Sequence, residues 1–350
     1  MNFKKTLNSS LGLRAALFYF WSCCILHSDE VHYNMNHSFV EGSVIYLDEE
    51  GIALRDMQVI LSFKPSPLNE VRIGAKSFQR NEPTDSEGRV TFSEEAMGVL
   101  LIPSDDDYWA VRAGMGQSHH HLRQSEDPTQ LDYWRMRLER TVTLPRKINP
   151  RPMFANVHRE SMPNLDETFA FDLELNDWVR PHGRGQHPDM IFTLTGQASW
   201  REPPPESLRR HRIVEYDVTL RIHFPNEADG ILPVEVPEFA NTNLHLGRVA
   251  PEEGYLRELL IRRGNQHPID EEQLAGYWIR TRSRVDEQTG ELLGARHGKI
   301  IGNIRYSYNL RRGEFVGSMQ FFYIFSPDEN RSMEFNGENL ARDPQWTSRK

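Results

Sequence analysis

The stretch from Gly42 to Phe92 constrains this chain most, because it alternates short β-strand patterns with acidic-glycine turns. Gly42-Ser-Val-Ile-Tyr-Leu47 runs into Asp48-Glu-Glu-Gly51, and Ala53 to Phe63 follows with Val59, Leu61 and Phe63 set between more polar neighbours. Thr84-Asp-Ser-Glu-Gly88 then leads into Arg89-Val-Thr-Phe92. Period-two alternation marks half-buried strands, and glycine after acidic residues supplies the positive φ that a turn needs. The pattern predicts strands paired through these turns. Asp105-Asp-Asp107 precedes Tyr108-Trp-Ala-Val-Arg112, which reads as another strand. Met136, Leu138, Val142 and Leu144 read as a closing strand, with Arg140 the exception to its pattern. Short strands, frequent turns and no long helical pattern predict an antiparallel sandwich over residues 39–144.

Residues 1–28 read as an export signal. Lys4, Lys5 and Arg14 form a positive start, and Ala15 to Leu26 is an apolar run that ends at His27-Ser28-Asp29-Glu30. The run is shorter than the roughly 20 residues that span a bilayer. Ser22/Cys24 and Leu26/Ser28 are alternative cleavage positions. The expected location is secreted or periplasmic, the alternative being a membrane anchor at an uncleaved or lipidated N-terminus. No later segment is long and apolar enough to span a membrane, and Asp29 to Ser38 reads as a polar tether. Both cysteines, Cys23 and Cys24, fall within the signal, so the mature chain is expected to lack disulfides, thiol nucleophiles and thiolate metal sites. The net charge of −9 becomes more negative on removal of Lys4, Lys5 and Arg14. Such a surface repels nucleic-acid phosphates and anionic lipid, which excludes both as natural partners.

Gly42, Gly51, Leu54, Val59, Thr84, Asp85, Gly88, Val90 and Phe92 match the spacing of the carboxypeptidase regulatory-like (transthyretin-like) sandwich, and this third of the chain resembles that family. Asp107-Tyr-Trp-Ala-Val111 is similar to the family's strand after a Pro-Gly-x-Tyr turn, although Pro-Gly is absent here. The resemblance implies a non-catalytic accessory module and transfers no functional residue.

Pro145-Arg-Lys-Ile-Asn-Pro-Arg-Pro152 reads as a proline-rich linker over 145–152, since its three prolines oppose strand pairing. A second, larger and predominantly β domain is expected over 153–335, followed by a polar tail over 336–350. Its clearest strand is Tyr216 to Phe224, where Tyr216, Val218, Leu220, Ile222 and Phe224 share one face; Met190 to Leu194 is a continuous apolar strand. Tyr277–Val285 and the segment from Leu292 form a hairpin through Asp286–Gly290. Lys299–Tyr308 and Phe315–Phe325 form another through Asn309–Gly313. Glu252–Leu260 and Asp270–Ala275 suggest short helices, and Pro203-Pro-Pro205 a surface loop. Asn149–Met153, Phe171–Val179, Pro181–Gly185, Gly298–Gly302 and Met333–Leu340 resemble the C-terminal part of uncharacterised secreted bacterial proteins, a resemblance that carries no activity.

Functional residue types are densest from Phe171 to Asp189. Asp172, Glu174, Asp177, Trp178, His182, Arg184, His187 and Asp189 surround Pro181, Gly183 and Gly185. A Gly/Pro loop leaving a strand there would present carboxylates, imidazoles and an indole together, fit for acid/base work or for gripping a sugar with Trp178 as a stacking face. Asp177, Trp178, His182, Arg184 and Asp189 are the ligand-binding candidates. The competing reading makes Asp172 and Glu174 a solvated strand face and Trp178 a core residue. His119-His-His121 cannot converge on one ion, and Asp105–Asp107 lacks the spaced oxygens of a calcium loop, so no metal site is expected. No Gly-x-Ser-x-Gly elbow, dinucleotide fingerprint or Walker A loop occurs, and no cofactor is expected. The catalytic residues of any enzyme here stay unassigned. The expected function is a non-catalytic binding or structural role at the cell envelope, with a glycan or an envelope protein as the partner. The alternative is a glycan-acting hydrolase using carboxylates of the second domain.

Overall fold

The computed structural model describes residues 37–64, 77–116, 133–162, 164, 166–200, 214–239, 242–264, 274–311 and 314–341. The expected export signal with Cys23 and Cys24, the His119–His121 tract and Pro203–Pro205 lie outside the described residues. The described chain is all-β, built from mainly antiparallel sheets stacked as sandwiches; no helix in it is long and apolar enough to cross a membrane. It forms two compact units. One holds the described residues up to Ile148 together with Phe239–Asn243; the other holds those from Asn149 onward apart from that insert.

The smaller unit contains β1 (His37–Leu47), β2 (Gln58–Lys64), β3 (Phe78–Pro83), β4 (Arg89–Glu95), β5 (Gly98–Ser104), β6 (Ala113–Gly116) and β7 (Tyr133–Thr143). One sheet has the order β4-β1-β7 and the other β3-β2-β5-β6. The alternation read from the sequence decides their inner faces: Val40, Val44 and Tyr46 of β1 share a core with Val59, Leu61 and Phe63 of β2 and with Val90 and Phe92 of β4. Both acidic-glycine turns form, each closed by an aspartate. The Asp48 carboxylate accepts the amides of Glu50 and Ile52 at 3.0 and 2.7 Å, and Asp85 accepts those of Glu87 and Arg89 at 2.9 and 2.8 Å. Gly88 has φ +72°, and a Cβ there would stand 2.5 Å from the Tyr46 carbonyl oxygen, so no larger residue fits.

The strands these turns connect do not pair with each other, contrary to the sequence pattern. β1 is antiparallel to β4 and parallel to β7, and both turns carry the chain from one sheet to the other. Thr84 explains the crossing. Buried, it donates its amide to the Met57 carbonyl, accepts the Asp56 amide on its own carbonyl and the Met57 amide on its hydroxyl, and donates that hydroxyl to the Leu54 carbonyl. Segment 54–57 is thereby tied to the start of the second turn, and only its first residue stays on β1, the Leu54 amide donating to the Tyr46 carbonyl at 3.0 Å. Tyr108–Arg112 is likewise no strand; Tyr108 and Val111 make isolated bridges to Arg146 and Thr242.

The larger unit contains β8 (Arg151–Ser161), β9 (Thr168–Asp172), β10 (Asp177–Trp178), β11 (Met190–Trp200), β12 (Val214–His223), β13 (Gly230–Val234), β14 (Glu258–Gly264), β15 (Gly276–Val285), β16 (Leu292–Arg311), β17 (Glu314–Phe325) and β18 (Phe335–Asn339). Its sheets are β10-β9-β11-β12-β14 and β13-β15-β16-β17-β8-β18. Phe169, Phe171, Phe192, Val218, Leu220 and Ile222 of the first pack against Tyr277, Ile279, Ile300, Phe321, Tyr323 and Phe325 of the second. Both expected hairpins form, sharing the long strand β16. The suggested helix at Glu252–Leu260 does not. Glu258–Gly264 pairs with β12 as β14, turning Leu259 and Ile261 toward the core and Leu260 outward, so sheet pairing overrides the local helical signal. Leu274 and Ala275 are not helical either, and Asp270–Gln273 lie outside the described residues. β18 continues the six-stranded sheet to Asn339, into the segment expected as tail.

The six-stranded sheet is covered on both faces, which is why Tyr277, Trp278 and Ile279 are all buried. Its second face packs Trp278, Ile324, Met153, Ala155 and Phe335 against Leu246, Ala250 and Met333. Lys299 lies wholly inside this layer, its ammonium donating to the carbonyls of Leu244, Met333 and Gly247 at 2.7, 2.8 and 3.3 Å. Burial pushes its pKa down to about 7, the Glu334 charge opposing.

Candidate functional site

The segment singled out by its residue types joins β9 to β11 through the two-residue strand β10. Asp172, the last residue of β9, organises it. One carboxylate oxygen accepts the amides of Glu174 and Leu175 at 3.0 and 3.2 Å; the other accepts those of Gln186 and His187 at 2.8 and 3.0 Å. The fold thereby draws both halves of the loop onto a single buried side chain. Gly183 makes the approach possible, since a Cβ there would stand 2.3 Å from the Trp178 carbonyl oxygen. Asp177 completes the loop by accepting the Arg184 amide at 3.1 Å and its Nε at 2.9 Å.

Beneath the loop lies an arginine that sequence reasoning did not single out. Arg282 sits at a bulge in β15 with φ +55°, a left-handed conformation rare for non-glycine residues. Asp229 holds the bulge by accepting the amides of Arg282 and Ser283 at 3.1 and 2.9 Å. The guanidinium binds Asp189 in bidentate fashion, Nε to Oδ1 at 2.7 Å and Nη2 to Oδ2 at 2.9 Å. Its Nη1 reaches Glu174 at 3.0 Å, and Arg296 reaches the same Glu174 oxygen at 2.8 Å. Thr281 donates its hydroxyl to Asp189 Oδ1 at 3.1 Å, and the Leu173 amide occupies Asp189 Oδ2 at 3.0 Å. Both guanidiniums lie over the Phe325 ring. The alternation Arg280-Thr-Arg282-Ser-Arg284 would put three arginines on one face of a regular strand; the bulge, invisible in the sequence, diverts the middle one.

The electrostatics follow from burial and contact. Burial works against the charge on Arg282, yet its bonds to Asp189 and Glu174 and the Asp172 charge hold its pKa above the usual guanidinium value. Burial raises the Tyr323 phenol well above its ordinary range, Asp172 and Asp189 adding to the effect, while its hydroxyl donates to the Leu173 carbonyl at 2.7 Å. Burial also raises Asp229, against the bonds from Ser283 and Arg282.

The sequence candidates therefore separate. Trp178, 3% exposed, and Asp189, 1% exposed, lie inside the unit, and the expectation of Trp178 as a stacking face is corrected. Its ring is fixed edge-on by Phe169, Phe171, Phe192 and His158, because β10 turns the indole inward between the two sheets. Trp109 and Trp278 are buried as well. His182 and Arg184 stand on the exposed rim, His182 edge-on to Phe169 and Arg184 held to Asp177. Chemically, the oxygens of Asp172 and Asp189 are filled by amide and guanidinium donors, and Glu174 bridges two arginines. The arrangement is a rigid support beneath an exposed polar rim. The carboxylates of Asp172 and Asp189 are thereby committed to structural bonds rather than left free to exchange protons with a substrate. At Asp105–Asp107, Lys147 donates to the carbonyls of Asp105 and Asp106 at 3.1 and 2.8 Å. Among the described residues no group of three or more His, Cys, Asp or Glu could hold a metal ion.

His158 of β8 lies behind Trp178, fully buried, with neither ring nitrogen hydrogen-bonded within the described protein. Phe171, Trp178 and Phe321 surround its ring at centroid distances of 4.6, 5.1 and 5.3 Å. Burial pushes its pKa from 6.5 down to about 4, the Asp177 charge opposing. Between those values the unfolded chain binds a proton that the folded chain refuses. This contribution to stability is therefore complete above pH 6.5 and is lost as pH falls toward 4, by about 3 kcal/mol. His297, pushed down to about 4 by burial and by Arg331 and Arg280, acts in the same window. Urea midpoints measured from pH 7 to 4 should fall steeply for the native chain and less steeply for His158→Phe; identical slopes would refute the assignment.

The chain matches no family model and no curated protein. Among solved structures it is similar to 3-chlorocatechol 1,2-dioxygenase from Rhodococcus opacus, at 10% identity and a TM-score of 0.23 over 33% of this chain and 63% of that one. A DUF3823 family protein from Parabacteroides merdae aligns at 10% identity with a TM-score of 0.17, over 84% of this chain and 98% of that one. The major pilin subunit of Bacillus cereus aligns at 10% identity with a TM-score of 0.19, over 80% and 95%. At such scores these likenesses carry no argument about fold or function.

Proposed function

We propose that this chain is an exported, non-catalytic binding or structural protein of the cell envelope, whose β9–β11 loop contacts the ligand. The observation that carries the non-catalytic half is the occupancy of the loop's carboxylates: Asp172 spends both oxygens on four backbone amides, and Asp189 spends both on Arg282, Leu173 and Thr281. A loop fixed in this way is preorganised for recognition. His182 and Arg184 provide the outward donors, Asp177 sets the direction of Arg184, and Trp178 and Asp189 support the rim from beneath. Such donors suit the hydroxyl and carboxylate oxygens of an envelope glycan. In the layout we propose, an export signal over 1–28 precedes a carboxypeptidase regulatory-like sandwich over 39–144. A proline-rich connection over 145–152 then leads to the larger domain.

Residues 29–350 applied to a glycan array, with released products assayed in parallel, test the reading. Binding without product release is expected. His182→Ala combined with Arg184→Ala should weaken that binding by about tenfold or more at an unchanged melting temperature, the loss expected for one charged hydrogen bond. Accumulation of shortened glycans would overturn the non-catalytic reading in favour of a hydrolase.

A further inference from the structure

Strand β18 contains Asn336 followed by Gly337, a step used neither by the core nor by the proposed binding loop. Asn336, Gly337 and Glu338 are exposed, between buried Phe335 and half-buried Asn339. They fall within an irregular stretch of the β8–β18 ladder, where Phe335 stands opposite Arg151 and Asn339 opposite Met153, with a register shift between. Gly337 has φ +93°, and nothing lies within 4 Å of where a Cβ would stand. The Glu338 amide donates to Asn336 Oδ1 at 2.9 Å. That bond folds the carboxamide back over the Gly337 peptide and draws electron density from Cγ, the carbon that a nucleophile would attack.

We propose that Asn336 is a self-modification site, converting to aspartate and isoaspartate through a cyclic imide formed with the backbone nitrogen of Gly337. The Gly337 nitrogen bonds to Asn336 Cγ as the Cγ–Nδ2 bond breaks, and the peptide proton leaves with Nδ2 as ammonia. Water then opens the five-membered imide. Hydrolysis at Cγ yields aspartate; hydrolysis at the original backbone carbonyl yields isoaspartate, with the chain routed through the side-chain carbon. Water is the only co-reactant, and nothing is oxidised or reduced. Gly337 favours the step because no side chain shields its nitrogen. The neighbouring Asn339 is the internal contrast. Leu340 follows it, and its carboxamide is clamped on Ala155, accepting that residue's amide at 3.0 Å and donating to its carbonyl at 2.6 Å.

The product bears on the fold. Isoaspartate lengthens the backbone between Phe335 and Asn339, the two residues registered on β8, and places a carboxylate beside Glu338. The Asn339 clamp and the Leu340 amide bond to Met153 at 3.0 Å then cannot both keep their positions. The reaction loosens the edge strand irreversibly.

The full chain, held folded at neutral and mildly alkaline pH, should be sampled over time, digested with trypsin, and its Ser332–Arg342 peptide read by fragmentation. A gain of about one mass unit at Asn336 is expected, with isoaspartate detected by enzymatic methyl transfer and with a rate that climbs with pH. Asn336 should convert on the order of tenfold or more faster than Asn339. Asn336→Gln should melt like the native chain and show neither signal. Amide hydrogen exchange over residues 335–341 should quicken in aged protein. The proposal is overturned if Asn336 stays intact in the folded chain while the free peptide converts, or if both asparagines convert at one rate.

Discussion

Arg282→Met should lower the stability of the larger unit by about 3–5 kcal/mol, the loss expected when one partner of a buried ion pair is removed. The size follows from what the guanidinium touches. Its removal leaves the 1%-exposed Asp189 with only the Leu173 amide and Thr281 hydroxyl, and returns Glu174 to Arg296 alone. Arg282→Lys should recover only part of the loss, because an ammonium cannot span both oxygens of Asp189 while reaching Glu174. Urea unfolding followed by tryptophan fluorescence is the measurement. If Arg282→Met unfolds at the native midpoint yet abolishes binding, the cluster serves the ligand rather than the fold, and the non-catalytic reading loses its main support.

Trp178→Ala should be comparably damaging, costing about 3–5 kcal/mol through the void it leaves among Phe169, Phe171, Phe192 and His158. Trp178→Phe should cost less, since an aromatic ring still fills most of the space. Melting curves recorded beside binding curves separate support from contact. Trp178→Ala should reduce binding only in proportion to the unfolded fraction. Arg184, 81% exposed, should do the reverse, its alanine variant leaving the melt unchanged while binding falls. A native-like melt for Trp178→Ala with binding lost would return the indole to the ligand surface.

These two residues mark where sequence reading stops. Alternation is a local signal, and it placed the inner faces of β2, β4 and β12 because neighbours along the chain decide which side chains share a face. The turns at Asp48, Asp85 and Asp286 were legible for the same reason, since each carboxylate collects amides two to four residues away. Sheet membership was not legible, because β1 is completed by β7 and the local pattern carries no record of that pairing. Asp189 and Trp178 were singled out by type, but burial reverses what those types suggest, and nothing local tells an indole that stacks on a ligand from one that fills a core. Arg282 was missed because its direction depends on a bulge held by Asp229, a residue 53 positions earlier. Glu252–Leu260 was misread as a short helix because the strand character of its last residues, the start of β14, comes from β12 rather than from their own composition.

The placement of β1 also governs the order in which the smaller unit can form. Its two partners are β4 and the distant, parallel β7. A chain emerging from its N-terminus therefore holds β1 with one unpaired edge until Thr143 has been made. Such long-range parallel closure is slow, because loop-closure entropy must be met before the contacts reward it. The β1–β4 pair and the β3-β2-β5-β6 sheet use strands that precede β7, so only the sheet holding β1 depends on it for completion. Completion of that sheet is a late event set by one distant strand, and no local hairpin can stand in for it.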